Sequence, residues 1–556
     1  MFSRMTSSAI AILALTGPAP ADVTPAEVWQ GWLDYYRASG YRVTEGSRND
    51  AGGTLTLKDV VFTSAADDEG RLVATVPEIA LAPTGDGKVR TTLSDTATLA
   101  LTIADEEDGP VDIAATATMP GYEVVTSGSA GDMTHDGRLP ELVLTVDSVK
   151  SGTETITAPI TFKLLDTAFQ VHSVAGDVTT ITSDTTANRA EIAGRVESSD
   201  PAEPGHVTFQ GALDGLQARG EFTMPKGVDM NGDVNAALKA GMAATGSLSV
   251  GGGSLDFDFA GQSEGQPQTG TGKLAGQGFT VGATFSARGL GYQGDSDGFS
   301  AEITSSDLPF PVNYSTESSS FDIQMPVMAS DTPVPFKLAY SIGGLRLGDA
   351  IWDLFDAGRK LPRDPASLDL DITGMTRVTM DLFDPANFPD SDDSGAAGET
   401  AADPGTAGDQ GDPQAGGAAP GDGAGDVASG DTAGADGMDA AEAGKGDMPF
   451  EPTEMTINKL ALAAAGASLD ASGALTVPEG GSMDAPVGKV SATILGANGL
   501  LDKLVELGAI GPDEVTGYRM MLALFARAAP EGGDKLVSDL EFREGGQVFA
   551  NGQQVK

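Results

Sequence analysis

The 556 residues include no cysteine. That excludes disulfides, thiolate nucleophiles, cysteine-ligated zinc and a lipidated N-terminal cysteine. Histidine is almost missing as well. His135, His172 and His206 fall on separate strand or turn segments without a His-Glu-x-x-His spacing, so surface histidines are expected rather than metal ligands. Basic residues are scarce: 33 stand against 80 acidic ones, for a net charge of -47. Such a field repels nucleic acid and anionic membrane surfaces, which argues against DNA or RNA binding. Aromatics make up 6% of the chain, and no aromatic girdles are visible, which argues against an outer-membrane barrel. Beyond the N-terminus, no segment approaches the roughly 18 apolar residues that cross a bilayer.

Reaction motifs are missing too. There is no Gly-x-Ser-x-Gly elbow and no phosphate loop. The stretch GTGKLA from Gly270 imitates a truncated dinucleotide fingerprint, but strand patterns surround it and no βαβ unit does. Asp256 and Asp258 share a strand face, as carboxylates will by chance in so acidic a chain. No cofactor or metal is expected.

What is present is order of a simple kind. Arg4, an apolar run from Ala9 to Leu15, Gly17-Pro18 and the ending Ala19-Pro20-Ala21 have the layout of a signal peptide cleaved between Ala21 and Asp22. The expected compartment is the periplasm. A helix follows, with a Thr24/Glu27 capping box, Pro25 at its first position and Gly40 beyond its end. Trp29 and Trp32 on this helix read as core residues plugging one end of a sheet.

From Tyr41 to about Tyr340 the apolar period is two: Leu99, Leu101, Ile103; Leu142, Leu144, Val146; Leu255, Phe257, Phe259; Phe279, Val281, Ala283, Phe285. Turn residues punctuate the pattern at Asp86-Gly87, Asp108-Gly109-Pro110, Asp136-Gly137 and Gly251 to Gly253. Short successive hairpins favour an antiparallel meander. Helices are expected at Asn235 to Thr245 and Gly348 to Gly358, the second with Ile351, Leu354 and Phe355 on one face. Between Asp390 and Asp447 fourteen acidic residues and one lysine are set among Gly, Ala and Pro. This tract keeps neither the nine-residue period of repeat calcium loops nor the order of an EF-hand, and it reads as a disordered tether. After Met455 come two strands around a turn, amphipathic helices at about Asn498 to Leu507 and Pro512 to Ala528, and a hairpin turning at Gly545-Gly546. Tyr518, Met521, Leu522 and Phe525 mark the second helix.

Several of these stretches carry a likeness. Ser330-Asp331 with Pro333 to Phe336, Trp352-Asp353-Leu354-Phe355-Asp356 and Leu361-Pro362-Arg363-Asp364-Pro365 resemble the central block of the DUF2125 proteins, exported and uncharacterised proteins of alphaproteobacteria. The likeness extends back to SSDLPFPVNY and NAALKAG and forward to ILGANGLLDKLVELGAI and the final ANGQ. It brings no catalytic residues with it. The order of elements near the C-terminus is also similar, at the level of pattern, to YdgA-like and AsmA-like envelope proteins. That second likeness implies a long curved sheet with an apolar inner face and a role in envelope lipid handling.

The expectation is an α+β, mostly antiparallel β protein: a long curved meander sheet with a few short amphipathic helices, interrupted by a disordered acidic spacer. Its parts are a signal peptide (1–21), a helix plus meander (22–389), the spacer (390–448) and a β-α-α-β part (449–556). The first functional reading is a noncatalytic envelope protein whose sheet binds an apolar ligand, with lipid or another envelope protein as partner. Phe257, Phe259, Phe279, Val281 and Phe285 form the candidate groove, on the premise that their two strands pair. The alternatives are an acidic surface adhesive or scaffold protein and, third, an enzyme.

Overall fold

The computed structural model describes residues 22–64, 70–104, 109–151, 154–156, 158–198, 204–228, 233–263, 265–387, 449–478 and 485–556. The signal peptide and the acidic spacer lie outside the described residues.

Helix α1 (Pro25–Ala38) starts as its sequence dictates. Thr24 and Glu27 form the reciprocal capping box and Pro25 occupies the first turn. The remaining helices are α2 (Val234–Lys239), α3 (Asp349–Asp356), α4 (Ala497–Leu507) and α5 (Pro512–Phe525). Helix α2 is shorter than the Asn235 to Thr245 expected, because Gly241 takes a positive φ and the chain re-enters the sheet at Ala243. On α3, Leu354 and Phe355 are exposed, so its apolar face is not a buried one.

All thirty strands among the described residues belong to one antiparallel sheet. It runs as a ribbon two lanes wide. Long strands such as Asp132–Ser151, Val178–Glu197 and His206–Pro225, each of 20 residues, cross both lanes and span about 66 Å at the usual strand rise. Between them, shorter strands lie end to end. Ala243–Val250 and Gly252–Ser263 both pair with His206–Pro225, each covering half of it. Asp136-Gly137, expected as a turn, lies inside the strand Asp132–Ser151; Gly137 is there for another reason, given below. That strand kinks where Pro140, which lacks an N–H for the ladder, stands opposite Asp166 at φ 52°.

The register sorts side chains by face. One file across the sheet reads Phe209, Phe257, Gly272, Ile303, Val312; another reads Phe321, Tyr340, Leu370, Leu460, Ala471. The neighbouring file on the other face reads Gln210, Asp256, Lys273, Glu302, Asn313. One face is therefore apolar along the ribbon and the other is polar. Cross-strand ion pairs such as Lys337–Asp322 at 2.6 Å and Lys459–Asp369 at 2.8 Å line the polar side. Solvent-exposed pairs of this kind stabilise by about 0.2–1 kcal/mol each at most.

Two helices cover parts of the apolar face. Helix α1 seats Trp29, Val28 and Leu33 on Leu55, Leu57, Ile79 and Leu81, with Met133 at the margin. Helix α2 packs Ala237 and Leu238 with Val327, against Phe222, Phe285 and Phe383. Asp381 ties that second cluster together: it accepts from Lys239 Nζ at 2.6 Å, from the Ala329 N–H at 2.7 Å and from Asn235 Nδ2 at 3.3 Å.

Candidate functional site

Away from these helices the apolar face meets water. Ile192, Val207, Leu213, Val281, Tyr292, Ile323, Leu338 and Leu462 are each more than a third exposed, and register places all of them on that face. Phe257, Phe259, Phe279 and Phe285 are half-buried. All five expected groove residues share this face, but the premise that their two strands pair is corrected. Gly252–Ser263 pairs with His206–Pro225 and Gln266–Gly276, whereas Phe279–Ser286 pairs with Ala243–Val250 and Gly289–Ser296. The long strands make room for two short ones end to end, so sequence neighbours fall in different lanes. Phe285 also departs from the rest, since α2 and Phe383 cover it, the two rings 5.1 Å apart.

A repeated device shapes the face. Six phenylalanines stand directly opposite glycines on the next strand: Phe169 and Gly137, Phe209 and Gly194, Phe257 and Gly272, Phe259 and Gly270, Phe321 and Gly294, Phe336 and Gly374. A Cβ built on any of these glycines would fall under 3.0 Å from the ring opposite. Each ring lies down over bare backbone, which restores packing that glycine gives up and leaves a low apolar floor. Gly270 and Gly272 of the false dinucleotide fingerprint belong to this device.

A cavity of about 1040 Å³ opens on the face beside α1, just above the roughly 300–1,000 Å³ of small-molecule sites. Tyr35, Tyr36 and Tyr41 meet it from the helix side, and Phe62, Leu99, Met119, Tyr122, His135, Phe169 and Phe222 from the sheet. Tyr36 packs on Phe62 with ring centroids 4.8 Å apart, and Tyr122 on Phe169 at 6.4 Å. His135, expected at the surface, is half-buried here, its Nδ1 2.8 Å from Thr126 Oγ1. Burial holds the His135 pKa down, against the opposing pull of Asp136. Burial likewise pushes the Tyr36 and Tyr122 hydroxyls up. None of these cavity residues was picked out from the sequence except as pattern. Their common signal is alternation broken by Tyr or His where an aliphatic residue would serve a dry core.

The other polar groups do not converge. His172 lies 2.8 Å from Asp132 and His206 3.6 Å from Asp258, so the three histidines have three different local partners. Among the described residues no three potential metal ligands cluster, and no helix is long and apolar enough to cross a membrane. A depression of about 810 Å³ on the polar face holds Asp184 and Arg219, already paired at 2.8 Å.

The Trp352 to Pro365 stretch forms a clamp. Asp356, fully buried, accepts from the N–H groups of Lys360 and Leu361 at 2.7 and 2.8 Å. Arg363 reaches Asp349 at 2.5 Å and Asp353 at 3.0 Å and lies over the Trp352 ring, 5.5 Å from its centre. Lys360 Nζ donates to the Glu506 carbonyl of α4 at 2.6 Å. These contacts fix α3 and α4, and within them only the buried Arg363 Nε has no hydrogen-bond partner among the described residues.

The fold and site thus define a class: a single antiparallel ribbon with one apolar face, partly roofed by helices and open elsewhere. Residues 360–551 match the model of a family described as an uncharacterised protein conserved in bacteria, DUF2125. The match takes in Leu361 to Pro365, α4, α5 and the last hairpin, and begins after Trp352 to Asp356. No curated protein matches the chain.

Proposed function

We propose that this is an exported envelope protein that holds an elongated apolar ligand, the acyl chain of a lipid, along the open face of its sheet, and that it acts by binding. The observation that carries the reading is the continuous apolar face left in contact with water next to a concave, aromatic-lined cavity. Exposed apolar surface on this scale marks interaction sites in soluble proteins, and a hollow suits a chain-like ligand better than a second folded surface. Export rests on the signal-peptide layout and binding on the face.

The test is native mass spectrometry with lipid extraction on protein purified from its own periplasm. Co-purifying lipid, displaced by an apolar fluorescent probe, is the expected result. A chain that retains no lipid and binds no probe would overturn the reading, and a stoichiometric protein partner would replace lipid with a second envelope protein.

A further inference from the structure

The cavity beside α1 is not uniformly apolar: Tyr36, Tyr122 and His135 bring polar groups to its lining. The Tyr36 and Tyr122 rings line it and lie close enough to influence each other electrostatically. Neither hydroxyl is hydrogen-bonded to any described residue, and the same holds for Nε2 of His135, whose other nitrogen is engaged by Thr126. Phe169 connects the group: its ring lies over Gly137, two residues along the face from His135, and against Tyr122. Three neutral side chains with free hydrogen-bonding capacity therefore sit together in an otherwise greasy hollow. Phenols and a neutral imidazole can each donate one hydrogen bond and accept another. All three residues are half-buried, so water serves them in the open cavity, and a polar but uncharged group can take that water's place.

The charges agree. The Asp, Glu, Lys and Arg residues on the cavity lining are Asp34, Glu221 and Lys226, and Asp34 already faces Arg37 at 3.6 Å. With two carboxylates to one ammonium on the lining, and -47 on the whole chain, a carboxylate or phosphate head group would enter against the field. It would also find no guanidinium to pair with there.

We propose that this cavity selects an amphiphile with one uncharged head group, a hydroxyl, ester or amide, seated against Tyr36, Tyr122 and His135. The proposal rests on the acyl-binding reading above and adds the head-group class.

The experiment uses delipidated mature protein and three probes: N-phenyl-1-naphthylamine, monooleoylglycerol, and oleate at a pH where it is ionised. The naphthylamine reports the apolar face alone. Monooleoylglycerol should bind more tightly than oleate by about tenfold or more, the equivalent of roughly one to two neutral hydrogen bonds. Y122F and Y36F each remove only a hydroxyl without a protein partner, so both should fold as the parent does. Each should weaken monooleoylglycerol about 3- to 10-fold while leaving naphthylamine binding unchanged. Naphthylamine binding with oleate equal to or tighter than monooleoylglycerol would overturn the head-group assignment and leave the acyl reading standing. So would Tyr→Phe variants that bind monooleoylglycerol as the parent does. Failure of the parent to bind naphthylamine would sink the acyl reading itself, and this assignment with it.

Discussion

Gly272 should behave in opposite ways depending on the residue across from it. In an ordinary strand, Gly→Ala is favourable by about 0.5–1 kcal/mol, because glycine gives up more chain entropy on folding. Here the three atoms nearest the added methyl all belong to the Phe257 ring, which covers the Gly272 Cα. The strain therefore falls first on the ring, which must leave the sheet. Overpacking of this type costs about 1–3 kcal/mol, so G272A in the parent should be neutral to destabilising by about 2 kcal/mol. Phe257 is half-buried, so F257A should cost about half the 3–5 kcal/mol of a fully buried phenylalanine. In the F257A background the methyl has room, and G272A should then stabilise by about 0.5–1 kcal/mol.

The four proteins form a double-mutant cycle with an expected coupling of about 1–3 kcal/mol. Urea unfolding followed by circular dichroism gives the global values. Because a ribbon whose strands touch only their neighbours need not unfold in one step, hydrogen exchange over Gly252–Ser263 and Gln266–Gly276 reads the same cycle locally. A coupling below about 0.5 kcal/mol, the ordinary limit of additivity, would show that the ring does not lie on Gly272. The description of the apolar floor would then be wrong at its best-defined point.

Four further outcomes are expected. Trp29→Ala should cost about 3–5 kcal/mol in urea unfolding, since the ring is 1% exposed and its Nε1 donates to Glu45 at 2.7 Å, whereas half-exposed Phe279→Ala should cost clearly less. Deleting Ser391 to Gly446 should leave the melting temperature within a few degrees, because the chain leaves the described sheet after Val378 and returns at Phe450, its partner across the ladder, with the Thr379 N–H bonded to the Pro449 carbonyl at 3.0 Å; a lost cooperative transition would refute this. Asp381 has its pKa lowered, first by the Lys239 ammonium, with burial opposing and the Ala329 N–H and Asn235 helping. Its stabilisation is therefore complete above the ordinary carboxylate value and fades as pH falls through the depressed one, so the difference in urea midpoint between parent and D381N should shrink on acidification, and a pH-independent difference would count against it. Edman sequencing of the exported protein should begin at Asp22, immediately before the buried Val23, and large residues at Ala19 and Ala21 should stall processing.

How much of this was legible in the sequence differs by element. The α1 cap was, because a capping box is a local contract between Thr24 and Glu27 that no distant residue can revoke. The face of each strand was legible for the same reason: period two is a property of the pleat. What alternation cannot supply is which strand lies beside which. Phe257 and Phe279 stand on the same face, but the 20-residue strand His206–Pro225 is long enough to hold two short strands end to end, and that length only becomes visible once its partners are placed. The extent of α2 and the exposure of the apolar face of α3 were not legible for a related reason. Both are short, so tertiary contacts rather than periodicity decide them.

The glycines are the instructive case. In sequence Gly137 reads as a turn and Gly270-Thr271-Gly272 imitates a truncated dinucleotide fingerprint, because glycine within one strand carries only the information that something unusual is nearby. The cause lies in the next strand, where a phenylalanine occupies the opposite register position. Six such pairs recur on one face. A dry core could fill these sites from a second layer, with Val or Ile on both strands. Laying an aromatic ring over bare backbone keeps the height above the sheet low, and low height serves a surface over which something else must lie. The same sites that imitate a motif in sequence thus form the low floor of the apolar face.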